Sequence, residues 1–142
     1  MTDYTTQLEI PNSRHAVFMA ISRELGNWWG QQDKLIDEKN LVFKVSWGEP
    51  WYQFKVLDYK ENELMIWECI DANQLIPGLT GVEKEWVRTR IHWKLKEMSS
   101  NTTLLEFKHQ GLIPEFLCFD FCSSSWEHFL KDRLVAYLAQ KL

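Results

Sequence analysis

Four residues spread along the chain carry side chains suited to moving a proton or to holding the polar end of a ligand: Tyr52, Cys69, Thr89 and His109. An imidazole beside a phenol or a thiol can transfer protons on an enolisable or cyclisable substrate, provided the groups share a site and their pKa values are tuned. None of the spacings that mark a nucleophilic or phosphate-binding centre accompanies them: there is no Ser/His/Asp arrangement, glycine-rich loop or zincin motif. Cys118 and Cys122 lie four apart, which on a helix places both thiols on one side, and His128 follows. Two thiols and a mismatched imidazole fall short of the four ligands a structural zinc takes, so they read as buried free thiols. No residue is therefore assigned a catalytic or metal-binding role, and no cofactor is expected.

The elements that must position these side chains are set by periodicity. Residues 4 to 10, "YTTQLEI", alternate as a half-buried strand. Pro11 and an N-cap at Asn12 or Ser13 open a helix whose face repeats at Val17, Ile21 and Leu25 and continues to Trp29. From Leu41 to Gly111 the period is two. "LVFKVSW", "WYQFKVLD", "ELMIWECI", "VRTRIHWKLK" and "TTLLEFKHQ" read as five strands with hairpins between them. Beyond Pro114, Phe116 and Phe119, then Trp126, Phe129, Leu130, Leu134, Tyr137 and Leu138, recur at steps of three and four and predict a long last helix. Setting Trp47 opposite Tyr52, Asp58 opposite Glu63 and Leu95 opposite Thr103 collects Phe43, Trp47, Tyr52, Phe54, Trp67, Trp93 and Phe107 on one face. Arg90, His92, Lys94, Glu106 and Lys108 then share the other. With Cys69 opposite Thr89, one row reads Trp47, Tyr52, Cys69, Thr89, His109, so inward polar groups gather towards one end. The ring-rich face suits either an apolar ligand cavity or a filled core.

The totals bound what such a sheet can serve. The 142 residues fit one domain over 1–142, and eight tryptophans point to a thick core or an aromatic-lined cavity. A net charge of −4 argues against phosphate neutralisation and hence against a nucleic-acid partner. The basic stripe of Arg88, Arg90, Lys94, Lys96 and Lys108 is interleaved with acids and reads as a solvated face. Three cysteines are an odd number for a disulfide framework, and "MTDYTTQLEI" has no leader pattern, so a cytoplasmic protein is expected. No apolar run approaches the roughly 18 residues of a membrane span. The connection "DANQLIPGLTGVEKEW" over residues 71–86 is long enough to act as a lid or to fold on its own apolar residues.

The order of elements, with "AVFMAIS" leading into Trp28-Trp29-Gly30, the pair "VRTRIHWKL" and "TTLLEFKHQGL", and the terminal "SWEHFLKDRLVAYL", resembles the SRPBCC or START-like superfamily. Within it the chain is similar to the branch of homologues of the activator of the heat-shock chaperone ATPase. Ser125 stands where that branch commonly has Gly, and the 71–86 connection is longer than usual for it. The resemblance implies an α+β helix-grip fold: a curved antiparallel sheet of about six strands around a long C-terminal helix, with a short N-terminal helix or helices. It also implies a cavity between sheet and helix of the kind that holds lipids, sterols, polyketides or other apolar compounds. The expected function is binding of a small hydrophobic or amphipathic ligand by Trp47, Tyr52, Phe54, Trp67, Cys69, Thr89, Trp93, Phe107 and His109 of the sheet with Trp126 and Phe129 of the helix. The alternatives are a protein-interaction module resembling chaperone cofactors and a small-molecule enzyme of cyclase or dehydratase type. Monomer and homodimer are both compatible with the sequence.

Overall fold

Residues 2–142 are described by a computed structural model. The first alternating stretch is β1 (Tyr4–Ile10), and α1 (Arg14–Ser22) follows with Ser13 as its N-cap, the Ser13 hydroxyl accepting from the Ala16 N–H at 3.2 Å. A 3₁₀ turn over Leu25–Asn27 then carries Trp28 and Trp29 into the interior. The strands are β2 (Gln31–Gln32), β3 (Val42–Ser46), β4 (Trp51–Lys60), β5 (Leu64–Asn73), β6 (Arg90–Ser99) and β7 (Thr102–Gln110). They form one antiparallel sheet in the order β1-β7-β6-β5-β4-β3-β2, curled into a half-barrel. The seventh strand, β2, is two residues long, too short to show alternation in the sequence.

The helix held by this sheet runs without interruption through α2 (Phe119–Glu127), a π-helical segment over His128–Leu134, and α3 (Val135–Ala139). Its buried residues Cys122, Trp126, Leu130, Leu134 and Leu138 are spaced by four throughout. An α-helix with 3.6 residues per turn would rotate such a row steadily off one face. The wider π turn restores the facing, so a strict repeat of four stays buried against the sheet.

The three hairpins keep their predicted faces but not their predicted partners. Trp47 pairs with Pro50 rather than Tyr52, through a Trp47 N–H to Pro50 carbonyl bond of 2.9 Å, because Gly48, at φ 77°, allows a two-residue turn. Tyr52 therefore lies opposite Val45 and Phe54 opposite Phe43. In the second hairpin Asn62 takes φ 66° in a three-residue loop, and bulges near Phe54 and Asp58 bring Val56 to Trp67, Phe54 to Cys69 and Tyr52 to Ala72. In the third, Leu95 faces Leu105, Trp93 faces Phe107 and Ile91 faces His109. In the first and third ladders the slip is two positions, which preserves the sorting of side chains between faces. In the second it is two positions from Val56 to Phe54 and three beyond either bulge, and the bulges keep Phe54, Val56, Met65, Trp67 and Cys69 buried together. The polar row is accordingly broken: Cys69 and Thr89 remain backbone partners, the Cys69 N–H reaching the Thr89 carbonyl at 2.9 Å, but Tyr52 and Trp47 belong to other positions.

Candidate functional site: an aromatic cavity at one end of the grip

Most of the space between sheet and helix is filled by rings. Trp67 meets Phe43 edge-on with centroids 4.9 Å apart, Trp93 meets Phe107 at 4.9 Å, and Phe107 meets Trp126 at 4.6 Å. At one end of the grip lies a cavity of about 230 Å³ bounded by the β3–β4 turn, the β5–β6 connection and α2. Trp47 and Tyr52 form its sheet side, and Trp29 its inner wall. Trp47 is fixed by its indole N–H donating to the Trp29 carbonyl, and Gly30 is required beside it because a Cβ there would lie 2.6 Å from the Trp47 ring.

The connection supplies Gln74, Leu75, Ile76 and Trp86. It is tied down at Gln74, whose N–H bonds the Glu83 carbonyl at 3.0 Å and whose Nε2 donates to the Val82 carbonyl at 3.0 Å. The Trp86 ring stacks on Tyr52 with centroids 3.9 Å apart, and on Trp126 at 5.8 Å. From α2 come Phe121, Cys122, Ser125 and Trp126, and from the π-helical segment Phe129, one face at steps of three, four and one. Phe121 and Leu75 stand 49% and 41% exposed, which marks the mouth.

None of these lining residues carries a charged side chain. The polar groups are the Tyr52 hydroxyl, which donates to Gln74 Oε1 at 2.5 Å, the Gln74 amide, the Ser125 hydroxyl and the Cys122 thiol. Burial, with the neighbouring thiols adding to it, holds the Tyr52 pKa well above that of a free phenol. The Cys122 thiol is also pushed up, first by its contact with Cys118, whose Sγ lies 2.6 Å away, and then by burial. The Trp86 indole N–H donates to Cys122 Sγ at 3.3 Å. The wall is thus neutral at ordinary pH.

Of the eleven residues named from the sequence, the structure places Trp47, Tyr52, Trp126 and Phe129 on the cavity wall. Phe54, Trp67, Cys69, Trp93 and Phe107 are buried in the ring-packed core behind it. Burial pushes the Cys69 thiol up to about 12. His109 and Thr89 form a closed chain of hydrogen bonds. An indole N–H can only donate, so His109 Nδ1 accepts from Trp126 Nε1 at 3.1 Å. The neutral ring then carries its proton on Nε2, donates to Thr89 Oγ1 at 2.8 Å, and Thr89 in turn donates to the Trp86 carbonyl at 2.6 Å. Burial, with a smaller contribution from His92, lowers His109 to a pKa of about 3. Both ring nitrogens are occupied in fixing Trp86 and Trp126, the two stacked walls of the cavity.

Sequence reasoning missed Trp29, Gln74, Trp86, Phe121, Cys122 and Ser125 as wall residues. The signal for the helical set was present: extending the face of Trp126 and Phe129 one turn back reaches Cys122 and Ser125. Gln74 and Trp86 sit in a connection without periodicity, where no spacing rule applies.

No family model and no curated protein matches the sequence. Solved structures do match. DynU16, a protein of the dynemicin biosynthetic locus, is 15% identical with a TM-score of 0.76 over 98% of this chain, which spans about half (48%) of DynU16. The Aha1 dimer from Colwellia psychrerythraea is 19% identical with a TM-score of 0.72 over 92% of both chains. A Mesorhizobium loti protein is 15% identical with a TM-score of 0.76 over 96% of this chain and 98% of its own. The half-barrel closed on a long C-terminal helix is therefore the helix-grip architecture that this chain shares with the Aha1 structure and DynU16.

Proposed function

We propose that the protein binds a small, neutral, largely apolar molecule in the cavity between Trp47, Trp86 and Phe129. The observation that supports this reading most directly is an aromatic void of about 230 Å³ with a few placed polar groups and no charged side chain in its wall. Affinity comes chiefly from removing apolar surface from water, at about 25 cal/mol per Å². The volume lies below the roughly 300–1,000 Å³ of drug-sized pockets, which favours a compact ligand of a few fused rings over a long acyl chain. Tyr52, Gln74 and Ser125 supply the groups that orient it. A ligand carboxylate or phosphate would be stripped of water here with no cation to meet it.

Native mass spectrometry of gently purified protein tests for a co-purifying neutral species, and fluorene serves as a neutral probe followed by tryptophan fluorescence. Ser125→Phe projects a ring into the void from a half-buried helix position. The expected result is a folded variant that no longer binds fluorene. Undiminished binding by this variant would place the site elsewhere.

A second reading, a protein-interaction surface, is favoured by Leu117 and Phe121, 63% and 49% exposed about the start of the last helix. The Colwellia protein is described as a dimer, and self-association through these residues is the form of that reading we retain. Sedimentation of the wild type and of Leu117→Ser checks it: a dimer lost on substitution supports it, and a wild-type monomer removes it. We further propose the cytoplasm as the compartment, in keeping with three free, buried cysteines. Among the described residues no helix is long and apolar enough to cross a membrane.

A further inference from the structure

Four indole N–H groups find acceptors within the protein: Trp28 donates to the Ala20 carbonyl, Trp47 to the Trp29 carbonyl, Trp86 to Cys122 Sγ and Trp126 to His109 Nδ1. Two others differ. Among the described residues, the Nε1 atoms of Trp67 and Trp93 are shut off from solvent and have no hydrogen-bond partner. The two rings stand side by side on adjacent strands, with centroids 5.2 Å apart and planes inclined at 54°. A buried donor without an acceptor forfeits the bond it makes to water in the unfolded chain, and a pair of them at one place is unusual for a folded interior.

This pair lies directly behind the cavity. Trp67 packs on Trp29 with centroids 6.2 Å apart, Trp93 meets Trp126 edge-on at 6.2 Å, and Trp29 and Trp126 are themselves wall residues. Trp29 is borne by the turn after Leu25–Asn27 rather than by the sheet or the long helix, and its ring stands between the cavity and Trp67.

We infer that Trp67 and Trp93 form a donor pair for the carbonyl oxygen of a neutral ring ketone that enters from the cavity and displaces the Trp29 ring. The inference rests on the cavity reading above and adds to it the chemistry of the ligand's inner end. Indole can only donate, so the partner must accept, and a carbonyl oxygen has two lone pairs with which to take both N–H groups. An alcohol also accepts, but it brings a hydroxyl proton into surroundings of Phe43, Phe54 and Phe107, where no acceptor awaits it. An anionic acceptor would be buried there without a cation.

The test compares fluorene with 9-fluorenone, two rigid molecules of nearly the same shape that differ by one carbonyl. Affinities are measured by calorimetry, the indole Nε1–H resonances of Trp67 and Trp93 are assigned through ring NOEs in the wild type, and the ketone C=O stretch is followed by difference infrared spectroscopy. The expected result is about tenfold tighter binding of fluorenone, downfield movement of both resonances, and a lowered carbonyl frequency on binding. Equal affinities with both resonances unmoved would overturn the donor pair while leaving the cavity reading intact. If neither compound binds, both the cavity reading and the donor pair fall.

Discussion

At the scale of the residue, the clearest device is the chain Trp126, His109, Thr89, Trp86, in which every hydrogen has one place to go. It accounts for a buried histidine without assigning it chemistry on a substrate, since the ring acts only through the two indoles it positions. Thr89→Val keeps the volume but strands the His109 Nε2–H, and should cost about 1–3 kcal/mol in chemical denaturation. Thr89→Ser should restore most of it. The same histidine makes stability depend on pH. Its folded pKa of about 3 lies below the 6.5 of a free imidazole, so in acid the unfolded chain takes up a proton that the folded protein refuses. Stability is therefore at its full value above 6.5 and falls as pH drops through this window towards about 3, at roughly 1.4 kcal/mol per pH unit from this group. A His109→Gln variant, with no imidazole to titrate, should show a shallower acid slope in urea titrations between pH 6 and 4. An unchanged slope would mean that the ring is protonated in the folded state.

At the scale of the element, the turn and the helix each show sequence constraining shape. Gly30 passes against the Trp47 ring and Val45, where a Cβ would come within 2.6 and 2.8 Å, so Gly30→Ala should destabilise the fold by about 1–3 kcal/mol. Because Trp47 is a wall residue, the variant should also weaken fluorene binding, and thermal melts with and without fluorene separate the two effects. In the last helix the buried row at intervals of four, Cys122, Trp126, Leu130, Leu134 and Leu138, was legible as a helix face, but its unwinding depends on tertiary pull. Deleting one residue from the π-helical stretch His128–Leu134 would return it to α geometry. Every buried residue on one side of the deletion would then rotate off the face, and a cooperative loss of stability in thermal denaturation is expected.

At the scale of the whole molecule, the fold is built to fill most of its own hollow. The ring cluster of Phe43, Phe54, Trp67, Trp93, Phe107 and Trp126 packs solid, and the open volume is displaced to the end where the β5–β6 connection stands in for a strand. A ligand there should stabilise the native state by mass action, about 2.7 kcal/mol at a hundred times its dissociation constant. The melting temperature should rise with fluorene concentration in the wild type and stay fixed in Ser125→Phe.

The alternation of Phe43, Val45, Phe54, Val56, Trp67, Trp93 and Phe107 determined the sheet and its buried face, because side-chain direction along a strand has a period of two and survives an even slip, while the grip on the last helix was implied by the family resemblance. Hairpin partners were not legible to that accuracy: a left-handed Gly48 moves one ladder by two positions, and Asn62 with a pair of bulges moves another by two or three, without disturbing the pattern. Where the hollow stays open was beyond the sequence altogether. Void space is what remains after every ring has packed, and the Gln74, Leu75, Ile76 and Trp86 wall comes from a connection with no period to read. Local chemistry thus chose the elements, while the position of the cavity and the unpartnered indoles behind it were decided only when the helix and the connection closed over the sheet.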